Sequence, residues 1–257
     1  MNAEVRPISQ RLIRKGALIE ETYLLFGNWR DQDSLDTNFD RVFHGNLRTD
    51  AWRREVRTTL RRRFRDIDAA RALIVLARAN YPLENWRCCL LLWIASHELL
   101  YGNFATKWLF EEYHSGRLQL RTEDAVRYIK LAWGALNQDA TLLSGYGTQR
   151  TARDLLRMAR DLGVLKGSGS VKTFSPIHLS DELALYCCQA IADLEHSTSR
   201  IVESPMWRIF LMEPSQVHSM LLRLHQFKML QYEFAGSLVQ IQLPCVSAYE
   251  YAERMAA

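Results

Sequence analysis

The sequence predicts a mainly α protein: an N-terminal helical bundle followed by two helix-turn-helix units, winged at most by short β-hairpins. Three observations carry this. Apolar residues recur at helical spacing along most of the chain. Strand-like runs are confined to two short stretches, one after Gly163 and one from Leu230 to Leu243. Capping residues, glycines and prolines punctuate the chain about once per helix. They set boundaries at 1–118 for the helical region, 119–179 for the first unit and 180–257 for the second, packed as one compact protein.

In the first region Leu12, Ala17, Leu18, Thr22 and Leu25 give one helical rhythm, which ends at Phe26-Gly27. Residues 30–45, rich in Asp and Asn, read as loop or broken helix. Thr49-Asp50 offers an N-cap for a long helix to about Ala79. Pro82 interrupts, and Glu84 to Tyr101 forms the most apolar helix. Asn103 reads as the cap of a further helix that Gly116 ends.

Thr122-Glu-Asp starts the second region with a cap and two acids, and Ala125, Ile129, Ala132 and Trp133 make its buried stripe. A turn at Ser144-Gly-Tyr-Gly147 leads into the next helix. In the third region Ser180-Asp-Glu caps a helix, Pro205 to Leu211 is a short one, and Glu213-Pro214-Ser215 begins another. A hairpin around Gly236 closes it.

The stretch from Tyr146 to Leu165 is the most informative. Ala152, Leu155, Leu156, Ala159 and Leu162 form an apolar face, while Arg150, Arg153, Arg157 and Arg160 fall on the other. Gly163 stops the helix, and Lys166-Gly-Ser-Gly-Ser-Val-Lys172 reads as a basic turn. A half-buried helix with an arginine row and a small basic hairpin behind it suits a nucleic-acid backbone and groove. Thr148, Gln149, Arg150, Arg153, Arg157, Lys166 and Lys172 are the candidate contacts. The competing reading is an amphipathic surface helix with a solvated charged face.

A second basic cluster holds Arg54, Arg57, Arg61, Arg62 and Arg65, with Arg54, Arg57, Arg61 and Arg65 along one helical side. It suits an anionic partner, or the acidic stretch from Asp31 to Asp40 of the same chain. Gln216, Ser219, Arg223 and Gln226 line the outer face of the second recognition-type helix, a pattern that fits structure or partner binding as well as groove reading.

Bulk composition excludes more than it selects. A chain of 257 residues can bury a sizeable core, and a formal charge of +4 permits a polyanionic partner without demanding one. Only six of the 33 cationic residues are lysines, so the charge is carried by arginine, whose planar fork suits phosphate and guanine edges. Cys88, Cys89, Cys187, Cys188 and Cys245 show no CxxC spacing, which predicts free thiols in a reducing cytoplasm and neither disulfide nor zinc. No signal-peptide core or membrane-length apolar run is evident. His97-Glu-Leu-Leu-Tyr101 has tyrosine where a zinc-binding HExxH needs its second histidine, so no metal is expected there. The sequence lacks a P-loop, a GxGxxG and a GxSxG, and its acids are scattered, so neither a cofactor nor an enzymatic activity is expected.

The run Lys15-Gly-Ala-Leu-Ile-Glu-Glu-Thr-Tyr-Leu-Leu-Phe-Gly-Asn-Trp29, the arginine-rich helix Trp52 to Arg65 and the apolar helix Trp86 to Tyr101 together resemble the BrxA family of BREX (bacteriophage exclusion) systems. Length and helix order fit as well. The resemblance implies a small cytoplasmic component of a phage-defence operon that also encodes a methyltransferase, an ATPase and an alkaline-phosphatase-like protein. It implies a mostly helical fold with helix-turn-helix elements and DNA as ligand. It transfers no catalytic residue. The expected function is that of a monomeric, non-enzymatic protein that binds double-stranded DNA and contacts other BREX proteins without a membrane. A protein-interaction adaptor and an RNA-binding helical protein are the alternatives.

Overall fold

A computed structural model describes residues 9–45, 47–136, 143–235 and 238–257 and is mainly helical, with two small antiparallel sheets. The first helical rhythm is split into α1 (Gln10–Ile13) and α2 (Ile19–Gly27). Gly16 at φ +76° and Leu18 at φ +51° break it, since neither conformation continues a right-handed helix.

The loop expected over 30–45 is instead occupied by α3 (Leu35–Val42), capped by Ser34, whose Oγ accepts from the Thr37 N–H at 3.1 Å. The polar residues that read as loop have a structural use. Asn38 is buried, and its Nδ2 donates to the Arg30 and Asp33 carbonyls at 3.0 and 3.1 Å.

Thr49 caps α4 (Asp50–Arg63), as its side chain predicts. The helix does not continue to Ala79. Asp66 Oδ1 accepts from the Asp68 N–H at 3.2 Å, an aspartate turn that competes with helix, and one 3₁₀ turn (Asp68–Ala70) leads into α5 (Arg71–Arg78). After Pro82, α6 (Leu83–His97) is buried along most of its length. It stops short of Tyr101 because Glu98 is extended, at φ −108° and ψ 96°. The chain resumes as α7 (Leu99–Asn103), a π-helical stretch (Phe104–Leu109) and α8 (Phe110–His114). Asn103 is therefore inside a helical run and caps nothing; its Nδ2 donates back to the Leu99 carbonyl at 3.0 Å.

The next region opens with a strand the sequence did not announce, β1 (Gln119–Arg121), and continues with α9 (Thr122–Leu136) and α10 (Gly145–Asp161). Asp124 Oδ2 accepts from the Arg121 N–H at 2.9 Å, which fixes the start of α9. The residues expected as a turn at 144–147 are the cap and first turn of α10, with Ser144 Oγ accepting from the Gly147 N–H at 3.0 Å. Gly163, at φ +90°, ends the helix region as expected. β2 (Leu165–Lys166) and β3 (Val171–Phe174) follow, and the sheet order is β1-β3-β2 with Leu120 opposite Lys172 and Leu165 opposite Phe174.

Ser180 caps α11 (Asp181–Glu195), and a 3₁₀ segment (Pro205–Phe210) precedes α12 (Pro214–Gln226), which carries a Glu213/Gln216 capping box. β4 (Gln231–Ala235) and β5 (Leu238–Gln242) pair with Tyr232 opposite Ile241. Gly236, expected at their turn, lies outside the described residues. A last helix, α13 (Ala248–Ala256), was not legible in the sequence. It packs on α5 and α11, so the end of the chain returns to the N-terminal bundle. Among the described residues no helix is long and apolar enough to cross a membrane.

Candidate nucleic-acid interface

The arginine helix is held on its apolar side. Ala152, Leu155, Leu156, Met158 and Ala159 are buried, and α9 and β2 pack against the helix. α1 packs on it too, through a 2.8 Å hydrogen bond from Gln10 Nε2 to Thr151 Oγ1. Gly163 lies against the Arg87 guanidinium of α6, and its φ of +90° would strain any residue with a side chain there.

The opposite side forms one wall of a groove of about 520 Å³. Tyr146, Arg150, Arg153, Arg157 and Arg160 line that wall, and Gly169, Ser170 and Lys172 of the hairpin line the other. The arginines alternate with two carboxylates. Asp154 lies 3.9 Å from Arg150, and Asp161 lies 3.8 Å from Arg157 and 2.7 Å from Arg160. Four arginines less two aspartates leave this stretch of helix at +2. Arg153 is exposed and has no ion pair among the described residues.

Asp154 is only part-exposed, and loss of solvent raises its carboxyl above the ordinary value. Arg150, Arg157, Arg14 and Arg153 pull the other way. Arg14, just past α1, is a cation that the sequence did not connect with this face. Its separation from Asp154 along the chain concealed it.

The candidate contacts do not all reach the groove. Gln149 is exposed, but Thr148 is only 4% exposed and bonds the Ser144 carbonyl through its Oγ1 at 3.0 Å. It belongs to the helix start, since a threonine there satisfies the backbone locally. Lys166 is exposed. Lys172 is 7% exposed, and its Nζ donates to the Gly169 carbonyl, which closes the hairpin. Burial, reinforced by Arg160, pushes its ammonium pKa down. Lys172 is thus a brace within the hairpin rather than an outward cation.

The second cluster is mostly spent inside the chain. Asp40 of α3 takes both Arg53, at 2.6 Å, and Arg57, and Asp36 lies 3.3 Å from Arg61. The Arg57 guanidinium also sits 4.9 Å from the centre of the Phe39 ring. Of the two readings of this cluster, the structure realises the one in which α4 covers the chain's own acidic segment. Arg65 falls beyond the end of α4, so the four-residue row is cut short. Arg54, Arg62 and Arg65 are exposed and lack ion pairs among the described residues. On α12, Arg223 bonds Asp181 at 2.6 Å, which ties it to the start of α11.

His97 stacks on Trp93, with ring centroids 4.2 Å apart, and its Nδ1 is 2.8 Å from the Trp93 carbonyl. Glu98 turns inward to Arg63. Among the described residues no group of three or more His, Cys, Asp or Glu is placed to hold a metal ion.

No curated protein and no solved structure matches the chain. A family model described as BrxA matches residues 7–189, which takes in the bundle, the arginine helix, the three-stranded sheet and the first part of α11. The match spans well over half of the chain, and the protein belongs to the BrxA family of BREX phage-defence components.

Proposed function

We propose that the protein is a non-enzymatic, double-stranded-DNA-binding component of its BREX system, and that it acts by holding the phosphate backbone. The observation that carries this is the arginine-lined groove between α10 and its hairpin. The order β1, α9, α10, β2, β3 fits a winged helix-turn-helix with α10 as recognition helix. Arg150, Arg153, Arg157 and Arg160 provide forked donors to phosphate, with Lys166 and Arg14 widening the basic surface. The α4 cluster supports the reading less, because Arg57 and Arg61 already have carboxylate partners.

Backbone contacts carry little sequence information, so unrelated duplexes should bind within about tenfold of one another. About four phosphate contacts give a log–log salt slope of roughly −3.6. The test is fluorescence anisotropy with 50-mer duplexes and a salt titration. Arg150→Glu with Arg153→Glu should abolish most of the binding and flatten the slope, and Arg61→Glu with Arg62→Glu should leave most of it. The reverse pattern would move the DNA surface to α4. No binding by the parent protein, with both pairs disrupting association with another BREX protein, would establish the adaptor reading. Stronger binding to RNA than to duplex DNA would favour the third.

A further inference from the structure

Tyr146 is 68% exposed at the head of the arginine wall. The ring has no aromatic or cation–π contact among the described residues. Its neighbours keep it uncrowded. Gly145 and Gly147 flank it, so neither adjacent residue along the chain has a side chain to cover the ring. The ring therefore stands clear beside a groove whose other lining includes four arginines, the glycine–serine tip of the hairpin and the aliphatic Leu156.

A basic channel that follows a phosphate backbone, with an aromatic face beside it, is the arrangement that binds unpaired strands. Paired bases are stacked inside a duplex and cannot lie on a side chain outside it. An unpaired base can. We propose that the α10 groove takes an unpaired DNA strand, with the backbone along Arg150, Arg153 and Arg157 and a base stacked on Tyr146. This rests on the reading of the groove as a DNA site and adds an unpaired strand as a second form that the same groove accepts. The same arginines hold the backbone of either form, so duplex binding persists without the stacking contribution.

The test uses the full chain and three fluorescein-labelled probes: a dT20 strand, a 20-mer of abasic sites, and a blunt 20-base-pair duplex. The abasic strand keeps the phosphates and removes the stacking partner. Base–aromatic stacking should make dT20 bind about tenfold tighter than the abasic strand. Tyr146→Ala should erase that difference while leaving the abasic strand and the duplex as before, and Tyr146→Phe should restore it. Equal binding of dT20 and the abasic strand by the parent protein would overturn the proposal. So would an equal loss on all three probes with Tyr146→Ala, which would mark a structural role. Arg153→Glu separates the two levels: weaker binding of all three probes upholds the groove as a DNA site whatever Tyr146 does. No change on any probe removes that reading and this one with it.

Discussion

The Nε of Arg63 lies 2.6 Å from Oε1 of Glu98, and both side chains are closed off from solvent. Arg63 also donates to the carbonyls of Ala17, Leu12 and Gly16, at 2.5, 3.1 and 3.2 Å. One residue of the arginine-rich helix thus holds the α1–α2 turn, α4 and the bend after α6 together. Burial raises the Glu98 carboxyl, and Arg63 works against that rise.

Arg63→Ala leaves a buried carboxylate and three carbonyls without their donor, and should cost about 3–5 kcal/mol in urea denaturation. Arg63→Met combined with Glu98→Leu removes both charges and should recover part of that loss. Arg62→Ala, one position away and exposed, should stay within about 0.5 kcal/mol of the parent. Equal effects at 62 and 63 would contradict the assignment.

Asp154 restrains the charge of the groove. Its raised carboxyl gives a defined sign. Between the ordinary carboxylate value and the raised one, the folded protein holds a proton that the unfolded chain has released. This group therefore makes the fold less stable as pH rises through that window. For DNA, the same ionisation places a negative charge among the arginines. Asp154→Asn should tighten duplex binding at pH 7 by about twofold to tenfold, as removal of one repulsive charge near the backbone does. The gap between parent and variant should narrow as pH falls toward the carboxyl's own range. Anisotropy titrations at pH 7, 6 and 5 measure it, and weaker binding by the variant would show that Asp154 chiefly positions Arg150.

The cysteines are predicted to differ sharply in reactivity. Burial pushes the Cys88 thiol up to about 11, and raises Cys89, Cys187 and Cys188 as well. Cys245 is only half-buried. A thiol titration with Ellman's reagent at pH 8 should find one fast equivalent in the native protein and all five cysteines in denaturant. Two or more fast native thiols would contradict the packing of α6 against α11.

Gly102→Ala tests the bend after α6. A side-chain carbon at Gly102 would run into the Ala95 carbonyl, which is backbone and cannot rotate away. The substitution should cost about 1–3 kcal/mol, read as a lower urea midpoint. Gly134→Ala serves as control, because the space there is open and the change should be neutral or favourable. A neutral Gly102→Ala would mean that α6 and α7 sit farther apart.

Much of the fold is legible because its signals are local. Thr49, Ser180 and Gly163 act where their side chains or φ angles demand, and the buried residues Ala125, Ile129 and Trp133 of α9 and the apolar stripe of α10 lie at their expected spacing. Six of the seven tryptophans are buried and Trp52 is half-buried, with Trp86 and Trp207 among the largest fully buried side chains. Where the expectation failed, local backbone hydrogen bonds that composition does not reveal had decided. The Asp- and Asn-rich stretch holds α3, capped by Ser34 and tied by Asn38 to the Arg30 and Asp33 carbonyls, and the aspartate turn at Asp66 interrupts the helical run that begins with α4.

The candidate site divides in the same way. Helical periodicity alone placed Arg150, Arg153, Arg157 and Arg160 on one face, because 100° per residue is a property of the backbone. It could not separate arginines that face solvent from those facing the chain's own acids, since Arg57 and Arg61 meet Asp40 and Asp36 only after α3 packs on α4. Nor could it show that Lys172 folds back onto Gly169, or that Arg14 comes to Asp154 across 140 residues. The sequence by itself determined which residues carry charge and how each helix is faced. Tertiary packing decided which charges remain available, because a charge's partner is set by distance in space, and distance in space is not encoded by distance along the chain.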